Sequence, residues 1–188
     1  MNKFTSSNLI TVKRCVSLAA AFVCLSAFPT AAQSYQRVIR VSGSHVASLG
    51  AWRIAQSASY AASKRALGKP SREVYGTSSC GKAWWHRLGL TIGYEDFGTQ
   101  CATHGYVQDI AIRGRIGRNS WKTDRRLRIG DTVSQLRHSY PHARKTGSSY
   151  QLYPYWSSIG SGFDSPVVAR TSHGRVDTFI LWIGGAGE

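Results

Sequence analysis

From Val46 onward the chain runs twice through one pattern, a short stretch with helical spacing followed by a series of alternating strands. The first copy has Trp52-Arg53-Ile54, then Ser57 to Leu67, then Gly68-Lys69-Pro70. The second has Leu127-Arg128-Ile129, Gly130-Asp131, Thr132 to Ser139 and Tyr140-Pro141. In the second, Asp131 or Thr132 can cap a helix whose Val133, Leu136 and Tyr140 recur at three- and four-residue spacing, and Pro141 ends it. In the first, Tyr60, Ala61, Lys64, Ala66 and Leu67 allow a similar helix, with Gly68 as its stop and Pro70 just beyond.

After each helix the period switches to two. The first copy offers strands at Arg72 to Tyr75, Lys82 to Leu88, Leu90 to Phe97 and Tyr106 to Arg113. The second offers Tyr150 to Trp156, Pro166 to Thr171 and Val176 to Ile183, with Ser172-His173-Gly174 as a turn. The closing strands align at a constant offset of 69, Gly105 to Ile112 against Gly174 to Leu181. These elements predict an α+β fold of two tandem modules, each with short helices packed on an antiparallel sheet. The expected boundaries are an N-terminal extension over 33–45 and modules over 46–118 and 119–188. Alternation then assigns faces: Ile110, Ile112, Phe179 and Leu181 point to the helices, while Asp109, Ala111, Arg113, Thr178, Ile180 and Trp182 point away. Tyr153 and Tyr155 are expected on the outward side, and the adjacent Trp84 and Trp85 face opposite ways.

The segment 1–32 is set apart from this arrangement. Lys3, Lys13 and Arg14 precede the apolar run Cys15 to Leu25 and then Pro29-Thr30-Ala31-Ala32, which reads as a secretory signal peptide. The apolar run is shorter than the roughly 20 residues of a spanning helix. Export directs the protein outside the cell or to the envelope. Removing the segment takes the formal charge from +15 to +12, because all nine acids lie beyond it. It also leaves Cys80 and Cys101, which are expected to pair as a disulfide contributing on the order of 3 kcal/mol by loop closure.

The two helical starts, Trp52-Arg53-Ile54 to Pro70 and Leu127-Arg128-Ile129-Gly130-Asp131 to Pro141, resemble those of tandem modules of the β-lactamase-inhibitor-protein type. They also look like the related small outer-membrane assembly lipoproteins, and Gly130-Asp131 to Tyr140-Pro141 is similar to a stretch in secreted bacterial proteins of no known activity. The resemblance spans roughly residues 46 to 188. It implies a helical hairpin on a four-stranded sheet, and a concave sheet surface that binds a protein. No cysteine is well placed for lipidation, and the loop residues with which inhibitors enter an enzyme cleft have no counterparts here.

Catalytic patterns are sparse. His138 and His142 have metal-ligand spacing, but Pro141 lies between them and no carboxylate is near, so no metal and no cofactor are expected. There is no Gly-x-Ser-x-Gly elbow, Gly184-Gly185-Ala186-Gly187 opens no helix, and the adjacent Glu95 and Asp96 would point to opposite faces of a strand. An enzyme is therefore not expected, a secreted hydrolase being the weakest reading. The densest basic run is Arg113, Arg115, Arg118, Lys122, Arg125, Arg126 and Arg128, with Trp121 embedded. It is either a solvated linker or a site for an anionic partner, and export ranks envelope polymer and acidic protein above nucleic acid. The leading expectation is a non-enzymatic binding protein that meets a protein partner through Tyr153, Tyr155, Ile180, Trp182 and Arg113. The alternative is a binder of anionic cell-envelope polymer through Arg115, Arg118, Lys122, Arg125, Arg126 and Arg128.

Overall fold

The fold was obtained as a computed structural model that describes residues 37–43, 45–55, 58–74, 81–95, 105–114, 120–154 and 165–183. These all lie within one compact unit, Gln33–Glu188. Segment 1–32, Cys80, Cys101, Arg115, Arg118 and Tyr155 fall outside the described residues, so the expectations placed on them find no structural counterpart here.

Twelve strands and two short helices follow one another along the described chain. Val38–Ser42 (β1), His45–Leu49 (β2) and Trp52–Arg53 (β3) precede the helix Tyr60–Leu67 (α1). Next come Arg72–Val74 (β4), Gly81–Trp85 (β5), a 3-10 turn at His86–Leu88, Leu90–Glu95 (β6) and Tyr106–Arg113 (β7). Lys122–Thr123 (β8) leads to the helix Val133–Ser139 (α2). Arg144–Thr146 (β9), Ser149–Gln151 (β10), Val167–Ser172 (β11) and Arg175–Trp182 (β12) complete the chain.

The α+β expectation is corrected by this inventory. The protein is mostly β, with a four-stranded sheet in the order β3-β2-β1-β8 and an eight-stranded sheet in the order β4-β5-β6-β7-β12-β11-β10-β9. Two helices of eight and seven residues make roughly two turns each, too little length to cover a sheet as a layer. Trp52-Arg53 of the segment expected as a helical start, and Lys122-Thr123 of the stretch expected as a linker, instead supply edge strands of the small sheet.

The helices form where the capping chemistry allows. Ser59 accepts a hydrogen bond from the amide of Ala62 at 3.2 Å and so caps α1, while Thr132 and Gln135 make a reciprocal capping box at the start of α2. Ser63 ties α1 to β6: its hydroxyl donates to the Tyr60 carbonyl at 2.7 Å, which leaves it to accept from the Tyr94 hydroxyl at 2.7 Å. The Trp85 indole donates to the Gly68 carbonyl at 2.9 Å and fixes the other end of α1 to β5.

Across the large sheet, β7 and β12 pair antiparallel with Ile112 opposite Phe179, Ala111 opposite Ile180 and Ile110 opposite Leu181. The residues aligned at offset 69 thus meet around the Ala111–Ile180 pair, where each is the other's partner. The flanking ladders match in register too. Leu90 pairs with Ile112 as Val167 does with Leu181, and each ladder shifts by one residue before Val107 or Val176. One face is closed: Leu90, Ile92, Ile110, Ile112, Val167, Ala169, Phe179 and Leu181 are essentially inaccessible and share a core with Ile39, Leu49, Leu127 and Leu136. That core includes residues of the small sheet, so both sheets and both helices close over the same side.

Candidate functional site

The opposite face of the eight-stranded sheet is the candidate site, and the ladder registers define it residue by residue. Directly paired residues point to the same side. One row therefore runs across all eight strands as Arg72, Trp84, Thr91, Ala111, Ile180, Val168, Gln151 and Arg144. Its interior members are half-buried, and neither Trp84, Ile180 nor Val168 belongs to the core or packs against it. The Arg72 guanidinium lies over the Trp84 ring, 5.0 Å from its centroid.

Two rows that carry charged groups flank this band. On one side Val74, Lys82, Gly93, Asp109 and Trp182 lie in series, with the charged pair Lys82 and Asp109 between apolar ends. Gly93 has a specific reason to be glycine: a Cβ built there would sit 2.3 Å from Asp109 Oδ1. The carboxylate thus lies across the bare backbone of β6 instead of standing up into solvent. Burial pushes the Asp109 carboxyl above its ordinary range, with the Lys82 ammonium pulling it partly back. On the other side Arg113, Thr178, Arg170, Ser149 and Thr146 lie in series, with Arg113 and Arg170 exposed on either side of a buried Thr178.

The alternation read from the sequence is observed for β7 and β12, so Arg113, Ile180 and Trp182 do share this face. Tyr153 does not join them. The β10 ladder ends at Gln151, the chain bends at Leu152, and the Tyr153 hydroxyl donates instead to Asp124 Oδ1. Tyr140, at the end of α2, donates to the same oxygen at 3.0 Å, and the two rings meet edge to face at 5.3 Å. Arg125 caps the group, its guanidinium 5.1 Å from the Tyr140 centroid and 5.9 Å from that of Tyr153. Burial raises the Tyr140 phenol to about 12 and that of Tyr153 further, so both hydroxyls remain donors. Trp84, Val168 and Arg170 were absent from the sequence-derived set. Trp84 was within reach, because a buried Trp85 forces its neighbour outward.

The basic run is structured in its described part. Lys122 lies in β8 and its amide donates to the Arg37 carbonyl at 2.9 Å, while Trp121, Thr123 and Leu127 are buried. Arg126, at a φ of 68°, turns the chain so that Lys122 and Arg128 bridge. Arg125 is committed to the tyrosines, and Arg126 and Arg128 are exposed. His138 and His142 are exposed. Among the described residues no three His, Cys, Asp or Glu side chains gather as metal ligands, and no helix is long and apolar enough to cross a membrane.

No protein-family model, no curated protein and no solved structure matches this chain.

Proposed function

We propose that this is a secreted, non-enzymatic binding protein that meets a protein partner through the open face of the eight-stranded sheet. The observation that carries the reading is the band of Trp84, Ala111, Ile180 and Val168, interrupted only by Thr91 on β6 and set outside the core. Antiparallel sheets ordinarily turn such a face to water and furnish it with polar residues, and an apolar band flanked by charged groups has the composition of an interface centre. Trp and Arg supply much of the energy at such interfaces.

The test is partner capture from native culture fluid. The protein is expected to retain a partner that the Trp84→Ala, Ile180→Ser variant releases, with the variant still folded at the temperature of the assay. Equal retention by the variant would overturn the reading. Retention instead by isolated envelope, abolished by salt and by loss of Arg126 and Arg128, would favour the anionic-polymer alternative.

A further inference from the structure

We infer that the partner of this face is an acidic polypeptide that seats a carboxylate between Arg113 and Arg170 and an apolar side chain on the Trp84–Ile180–Val168 band. This rests on the reading of the face as a protein-binding surface and adds the partner's chemistry and orientation. Arg113, Thr178 and Arg170 stand side by side on β7, β12 and β11. With strands about 4.8 Å apart, the two arginines leave the sheet roughly 10 Å from each other. Both are exposed, and neither forms an ion pair among the described residues. Two like charges fixed on a rigid sheet repel. A carboxylate between them replaces that repulsion with charge-assisted hydrogen bonds.

The other flank offers the same group no net positive charge. Asp109 lies four residues along β7 from Arg113, about 13 Å away, and its carboxylate, laid over Gly93, offsets the exposed Lys82 of the same row. An acidic segment is therefore drawn to the arginine flank in preference to the other. The band between the flanks decides between polypeptide and polyanion. A phosphate- or sulfate-bearing polymer has no side chain to cover Trp84, Ile180 and Val168, whereas an acidic polypeptide carries aliphatic and aromatic groups among its carboxylates.

Three probes test this with the purified protein by fluorescence anisotropy: a glutamate–tyrosine copolymer, poly-glutamate and polyphosphate. The expected result is binding of the copolymer about tenfold tighter than poly-glutamate, a gap of about 1.4 kcal/mol. The Arg113→Gln, Arg170→Gln variant should lose about tenfold in copolymer affinity and show a shallower salt dependence, with its melting temperature unchanged. Polyphosphate binding as tightly as the copolymer, or no copolymer binding at all, would overturn the inference. If the Trp84→Ala, Ile180→Ser variant loses copolymer binding while the arginine variant keeps it, the acidic chemistry is wrong and the binding face stands. If neither variant changes binding, both fail.

Discussion

Gly93 and Asp109 form a pair in which each residue explains the other. The carboxylate occupies the space in which any side chain on β6 would sit, and glycine is the one residue that leaves it free. Gly93 is not in the left-handed region, so its backbone would accept alanine and the obstacle is Asp109 alone. Gly93→Ala is therefore expected to destabilise the protein by about 1–3 kcal/mol through overpacking. In an Asp109→Ala background the same change should stabilise by about 0.5–1 kcal/mol, because glycine is a poor strand residue. Urea titration of the four proteins measures the cycle, and additive effects would remove the coupling. Sequence reasoning reached one half of this pair. Alternation put Asp109 on the outward face, but the strand opposite it is known only once the β6–β7 register is known, and no local pattern encodes that register.

At the level of elements, α2 was legible because three independent signals coincide within ten residues: a capping threonine, apolar spacing at Val133, Leu136 and Tyr140, and Pro141. The edges of the small sheet were not, since β3 and β8 have two residues each and a period cannot be seen in two residues. Tyr153 was misplaced for a related reason. Extrapolating a strand's phase past its last ladder pair assumes a straight chain, and this one bends at Leu152. The Asp124 cluster that receives it joins three segments, the turn after β8, the end of α2 and the residues after β10. Asp124→Ala should cost about 1–3 kcal/mol, and far less once Tyr140 and Tyr153 are both Phe. The cluster also fixes an alkaline limb. The folded-state pKa of Tyr140 lies above its unfolded value, so its contribution is complete below about pH 10 and is lost as pH rises toward about 12. Tyr140→Phe should flatten that limb in melting curves taken from pH 9 upward, and an unchanged limb would assign the loss elsewhere.

For the molecule as a whole, the decisive contact is the β7–β12 seam, which joins strands 69 residues apart in sequence and makes one sheet of two sets of four. Because Ile110, Ile112, Phe179 and Leu181 are buried on both sides of the seam, neither set can expose its core without the other. Native-state hydrogen exchange should show the amides of β6 and β11 opening with the same free energy. Phe179→Ala should lower both by about 3–5 kcal/mol. A drop confined to β11 would mean two independent modules. The outer margins of this sheet carry a different consequence. Its first and last strands, β4 and β9, have three residues each and bear Arg72 and Glu73 on one side, Arg144 and Lys145 on the other. Among the described residues, these short charged margins give an incoming chain little backbone to pair with, so the protein is poorly suited to grow by edge addition into fibrils.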